Sequence, residues 1–69
     1  MEKDKHYVIT RWISGYDVPC FEDFNGTIDE AISYILTLDY GEEAGQIREA
    51  HICDRHGVIL YRNKLESIN

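Results

Sequence analysis

The side chains best suited to chemistry are two histidines and a cysteine near the C-terminus. His51, Cys53 and His56 follow the spacing H-x-C-x-x-H. In an extended strand, His51 and Cys53 project from the same face about 7 Å apart. Structural zinc sites take four ligands, usually two close pairs. Because this spacing supplies one close pair, the sequence predicts no resident metal, and the three residues are weak candidates for a small metal-binding module.

The same histidine and cysteine side chains could form a nucleophilic pair. Catalysis by such a pair also needs a third, orienting group and an oxyanion site within a pocket. No glycine-rich anion loop or nucleophile elbow accompanies them, and 69 residues leave little room for a deep cleft. The sequence therefore predicts a protein that is not an enzyme and uses no cofactor. Cys20 and Cys53 are the two cysteines of the chain, and we expect both to be thiols in a reducing compartment.

The middle of the chain is strongly acidic. Residues 12–47 contain eight acidic residues and no Lys or Arg, whereas residues 1–11 and 48–69 each sum to +1. The net charge of −6 therefore lies in the middle, and a block of one sign creates a field that attracts basic partners. Asp29 and Glu30 are explained by the start of a helix. The acidic residues that we expect to contact a partner are Asp17, Glu22, Asp23, Glu42 and Glu43.

The N-terminal part of the chain predicts two extended segments. Residues 7–13 are rich in β-branched and aromatic side chains, which is typical of a strand. Residues 18–24 form a second extended stretch that contains Pro19. Because proline cannot donate a ladder hydrogen bond, this stretch belongs at a sheet edge or is irregular. Whether it pairs in the sheet is left open by the sequence.

A helix follows the second extended segment. Thr27 is a natural N-cap, and Glu30 completes a capping box three residues later. We expect the helix to end after Tyr40, where Gly41 can adopt a left-handed conformation. Its apolar stripe, at helical spacing, consists of Ile28, Ala31, Ile32, Ile35 and Leu38.

The last predicted element is a hairpin formed by residues 47–53 and 58–62. Gly57 supplies the positive φ of a bulged turn, which places Ile52 opposite Leu60. The face predicted to meet the helix carries Ala50, Ile52, Val58 and Leu60. The opposite face carries Glu49, His51, Cys53, Ile59 and Tyr61.

These elements predict an α+β protein in the order β-β-α-β-β. It is a small single-layer antiparallel β-sheet packed on one α-helix, in one domain of residues 1–69 with an ordered core at 6–64 and frayed termini. One helix cannot cover both faces of a sheet. The uncovered face is therefore a predicted second interface, as in a homodimer. Its apolar members are Ile59, Tyr61 and, depending on the first strand's register, Trp12.

The composition favours a non-enzymatic, acidic protein-binding module that occupies a basic surface of a nucleic-acid-handling protein. Tyr16, Phe21 and Tyr40 are the expected apolar anchors. Direct nucleic-acid binding is disfavoured, because seven Lys and Arg face thirteen acidic residues. No apolar run approaches the ~20 residues of a membrane span, and the N-terminus lacks the apolar stretch of a signal peptide. We therefore expect a cytoplasmic location and no membrane partner.

In size, acidity and layout the chain resembles small proteins of phages and mobile elements that inhibit host defence, such as anti-CRISPR proteins and DNA mimics. The resemblance implies an inhibitor and carries no residue roles over to this chain. Two other interpretations remain open. One is a homodimeric accessory domain that uses the uncovered sheet face, and the other is the small metal-binding module described above.

Overall fold

A computed structural model describes residues 5–64, which form four strands and one helix in the predicted order. The elements are β1 (Lys5–Ile13), β2 (Cys20–Gly26), α1 (Ile28–Leu36), β3 (Ile47–Cys53) and β4 (Ile59–Lys64). The predicted α+β class is confirmed. The expected fraying of the termini falls on residues outside the described range, except that Lys5 begins β1.

The sheet has the strand order β2-β1-β3-β4, and all neighbouring strands are antiparallel. β2 is an edge strand that pairs with β1 from Cys20 onward. This agrees with the position of Pro19, which immediately precedes the strand and donates no ladder hydrogen bond. β4 forms the other edge, so the two outermost strands come from well-separated parts of the chain.

The predicted start of the helix is confirmed by its hydrogen bonds. The backbone N–H of Glu30 donates to Thr27 Oγ1 at 3.1 Å, and the backbone N–H of Thr27 donates to Glu30 Oε1 at 2.9 Å. These two bonds form the capping box and satisfy donors that the first helical turn leaves free. Within residues 5–64, α1 with its nine residues is too short to cross a membrane.

The predicted end of the helix is wrong, because α1 stops at Leu36 instead of Tyr40. The hydroxyl of Thr37 donates to the carbonyl oxygen of Tyr34 at 2.7 Å, and the phenol of Tyr40 donates to that of Ile35 at 2.8 Å. These bonds satisfy carbonyls that further helical turns would otherwise use.

The core lies between α1 and one face of the sheet. Ala31 and Ile35 of the helix pack against Ile9, Ala50 and Ile52, and all five are fully buried. Each of the three fully buried isoleucines, Ile9, Ile35 and Ile52, contributes about 1.5–3 kcal/mol. The predicted stripe is confirmed within the helix, where Ile28 and Ile32 are partly buried against the core, and Leu38 packs against it from the loop after the helix.

The predicted register of the hairpin is confirmed beside the turn, where the backbone N–H of Asp54 donates to the carbonyl of Val58 at 3.0 Å, and it is wrong by one residue from Ile52 onward. Ile52 pairs with Tyr61 instead of Leu60, and the ladder resumes with Cys53 opposite Ile59. This bulge inserts Leu60 as an extra residue in β4, and a shift of one residue exchanges the faces of a strand. Tyr61 therefore packs against the core, so its predicted position on the uncovered face is wrong. The exposed apolar residues of this segment are Val58, Ile59 and Leu60.

Candidate protein-binding surfaces

Two connecting segments pack together at one end of the sheet: the β1–β2 turn (residues 14–19) and the α1–β3 loop (residues 37–46). The backbone N–H of Ser14 donates to the carbonyl of Gln46 at 2.7 Å, and that of Gly45 donates to the carbonyl of Ser14 at 3.2 Å. Ser14 Oγ also donates to the carbonyl of Gly41 at 3.0 Å. Ser14 is 5% exposed, so this contact is an internal one that fixes the two segments to each other.

This end of the molecule is negatively charged. The turn and the loop contain no Lys or Arg. The C-terminus of α1 leads directly into the loop, and its last turn contains no basic residue, so the negative end of the helix dipole is not offset there. We call this region the acidic end and define it by its four exposed carboxylates: Asp17, Asp39, Glu42 and Glu43.

A groove of about 470 Å³ runs between the acidic end and the sheet. Two acidic and two basic side chains line the groove, so its lining has no net charge. The excess negative charge of the acidic end therefore lies outside the groove. Tyr16 and Val18 are 64% and 67% exposed beside it, and they supply apolar surface next to the carboxylates. The residues that line the groove are Trp12, Ile13, Gly15, Tyr16, Glu42, Arg48, Glu49 and Lys64.

Glu22 does not join the acidic end, because its side chain points toward the helix. The hydroxyl of Tyr34 donates to Glu22 Oε1 at 2.9 Å and lies 3.1 Å from Oε2. The Arg11 guanidinium Nη2 is 3.6 Å from Oε1. Burial and, secondarily, the hydrogen bond to Glu22 raise the pKa of Tyr34. Glu22 therefore connects β2, β1 and α1.

Three further candidates for partner binding do not present their side chains with the acidic end. Asp23 and Phe21 project from the sheet face that α1 does not cover, where Asp23 Oδ1 is 3.3 Å from His6 Nε2. Tyr40 is partly buried, and burial raises the pKa of its phenol, which is bonded to the carbonyl of Ile35. Of the eight candidates, the structure brings together Asp17, Glu42, Glu43 and Tyr16.

Sequence reasoning missed two residues of this region. Asp39 belongs to the acidic block, and its place in residues 37–46, which contain no Lys or Arg, is the signal in the sequence that indicates its role. Ser14 precedes Gly15, and that pair of residues by itself indicates only a turn. The role of Ser14 depends on the loop carbonyl that it meets 27 positions later, and no local pattern indicates such a contact.

The sheet face that lacks the helix is the second candidate surface, and we call it the open face. Trp12 lies on it, 39% exposed, together with the more exposed Phe21 and Ile59. The strand pairings place the following side chains on this face: His6, Val8, Thr10, Trp12, Phe21, Asp23, Asn25, Glu49, His51, Cys53, Ile59, Arg62 and Lys64.

The weak metal candidates do not come together. His51 and Cys53 share the open face, but His56 lies in the hairpin turn, where its backbone N–H donates to Asp54 Oδ1 at 2.8 Å. In the described part of the chain, no three His, Cys, Asp or Glu side chains could hold a metal ion. Burial, with a smaller contribution from Asp54, raises the pKa of Cys53, which disfavours the thiolate that a nucleophile or ligand requires. Cys20 and Cys53 are both free and lie on opposite faces.

The chain was compared with known proteins at three levels. No family model matches it. The searches of curated proteins and of solved structures also yield no significant match. The two surfaces described above therefore rest on the geometry and chemistry of this chain.

Proposed function

We propose that this protein is a non-enzymatic binding module whose acidic end contacts a basic surface of another protein. The observation that carries the proposal is the hydrogen bonding of Ser14, which holds carboxylates from two distant segments at one end of the sheet. Exposed Tyr16 lies beside them. Exposed charge of this kind raises the association rate and favours partners of opposite charge, while an aromatic anchor supplies much of the affinity.

The partner that we propose is a nucleic-acid-handling protein whose Lys and Arg side chains normally bind phosphates. Carboxylates fixed on a small scaffold would stand where the phosphates lie, so the module would act as an inhibitor of the DNA-mimic type, as in a phage or mobile-element anti-defence protein. Two features support this. The turn and the loop that carry the four carboxylates contain no Lys or Arg, so the nearest cations are Arg48 and Lys64 of the groove beside Glu42. The C-terminus of α1 adds to the negative potential.

The first prediction concerns the double variant Asp17→Lys with Glu43→Lys, which we expect to lose partner binding while it remains folded. Both side chains are exposed. The loop uses the backbone N–H of Glu43, which donates to Gln46 Oε1 at 3.2 Å, and this bond survives the substitution. Asp17→Lys alone should weaken binding. Asp23→Lys makes the same charge change at an exposed carboxylate on the open face, so it is the control for Asp17→Lys and should retain binding.

The measurement is an affinity pull-down from host lysate at low and high salt, identified by mass spectrometry. Wild type and Asp23→Lys should retain a basic protein that high salt releases, since exposed charges are screened beyond about 10 Å at 0.1 M salt. The double variant should retain none. Purified partner should then release the module when duplex DNA is added. Retention by the double variant would refute the role of the acidic end, and simultaneous binding of DNA and module would refute the mimicry.

A further inference from the structure

We infer that the open face binds the open face of a second copy, around a two-fold axis parallel to the strands. This inference goes beyond the proposed function, which uses the acidic end. In the monomer α1 covers the other side of the sheet, so Trp12, Phe21 and Ile59 stay exposed to water. Exposed apolar side chains on an uncovered sheet face are typical of an interface, and the charges on the same face indicate what covers it.

Charge is sorted across the open face from one sheet edge to the other. The strand pairings order one row as Phe21, Thr10, His51 and Arg62, and the neighbouring row as Asp23, Val8, Cys53 and Ile59. The carboxylate of Asp23 therefore lies at the β2 edge. The cations lie at the β4 edge, on Arg62 and on Lys64, which pairs with Glu49.

This gradient makes the face complementary to itself in one of two simple arrangements. A two-fold axis parallel to the strands puts β2 of each copy over β4 of the other. Asp23 then lies over Ile59, about 7 Å along the strand from Arg62, whose long side chain can reach the carboxylate. The same arrangement brings Phe21 over Arg62, where a cation–π contact can form. An axis perpendicular to the strands would put β2 over β2 and β4 over β4, which opposes like charges. Closed two-fold pairs are the commonest oligomers.

The size of the open face predicts a reversible dimer. Four strands spaced about 4.8 Å apart, with about seven residues each, give a face of about 20 by 23 Å. Two copies would bury about 900 Å² in total, which is at the low end for specific interfaces. We therefore expect dissociation in the micromolar range and a dimer that forms with rising concentration.

The test is a reciprocal charge swap at the two sheet edges. Asp23→Arg alone and Arg62→Asp alone each oppose like charges at two symmetric places, so each should raise the dimer dissociation constant about tenfold or more. The double swap should bring the constant back near the wild-type value. Arg62 Nη1 also lies 3.6 Å from Glu49 Oε2 within one copy. The double swap does not restore that pair, so recovery of the constant reports the contacts between copies. Arg55→Asp makes the same charge change in the hairpin turn, controls for net charge and should leave the constant unchanged.

Sedimentation equilibrium across the micromolar range measures the association, with circular dichroism to verify that each variant is folded. Trp12 is the single tryptophan of the chain, so its emission should shift to the blue as the dimer forms. A wild-type protein that stays monomeric at high micromolar concentration would overturn the inference. A double swap that fails to restore association would contradict a two-fold axis parallel to the strands. Species that grow beyond two copies with Trp12 still exposed would indicate edge-to-edge pairing of β2 with β4, which also overturns it.

Discussion

Glu22 and Asp23 differ in role because they are adjacent in a strand. Successive side chains of a strand point to opposite faces, so an acidic pair within β2 is divided between the helix side and the open face. Glu42 and Glu43 lie in a loop instead, and both stay exposed. The sequence predicts the charge of all four residues. It does not predict that Glu22 binds the hydroxyl of Tyr34, because that contact depends on which face of β2 meets the helix.

The bond between Tyr34 and Glu22 predicts a loss of stability at alkaline pH. The pKa of Tyr34 lies above its ordinary value of 10.0, first because of burial and then because of Glu22. The unfolded chain ionises first, so the contribution of Tyr34 to stability is complete below about pH 10 and is lost as pH rises through the folded pKa. Tyr34→Phe should therefore flatten the fall of the urea midpoint above pH 10. Burial also raises the pKa of Tyr40, so the urea midpoint of Tyr34→Phe should still fall to a smaller extent above pH 10. Tyr16→Phe at an exposed position is the control, and equal flattening in both variants would contradict the prediction.

At the scale of elements, features that depend on neighbouring residues are predicted well and features that depend on distant strands are not. The capping box joins Thr27 and Glu30, three positions apart, and the sequence alone identifies it. The bulge that places Tyr61 opposite Ile52 arises from the pairing of β3 with β4, and a turn glycine does not encode it. That one extra residue moves Tyr61 into the core and changes the composition of the open face.

The N-cap of α1 should make a measurable contribution to global stability, because α1 supplies the helical side of the core between residues 5 and 64. Thr27→Ala removes the hydroxyl that accepts from the Glu30 N–H and should cost about 1 kcal/mol of unfolding free energy. Thr27→Ser keeps an accepting hydroxyl and should stay within a few tenths of a kcal/mol of wild type. Urea denaturation followed by circular dichroism measures both. Equal losses in the two variants would mean that the methyl group of Thr27, not its hydrogen bond, is what matters.

At the scale of the whole molecule, half of the predicted partner surface comes together and half does not. Composition alone predicts an acidic middle, and the tertiary fold decides where those charges lie. The bonds of Ser14 gather the turn and the loop into the acidic end. The strand pairing of β2 sends Asp23 to the open face instead, close to His6. A block of charge in a sequence thus becomes two surfaces of different character in space.

Because carboxylates are gathered at one end, we expect substitutions that remove them to weaken partner binding and to raise the stability of the fold. Like charges repel in the folded state, and salt screens that repulsion. Asp17→Lys with Glu43→Lys should therefore melt at a higher temperature than wild type at low salt, and the difference should shrink at about 1 M salt, where the Debye length is about 3 Å. The same variant should lose its partner. Such an opposition is expected of a surface retained for binding at some cost in stability. A variant that melts lower than wild type at low salt would mean that these carboxylates support the fold, and the acidic end would then be a structural feature and not a binding surface.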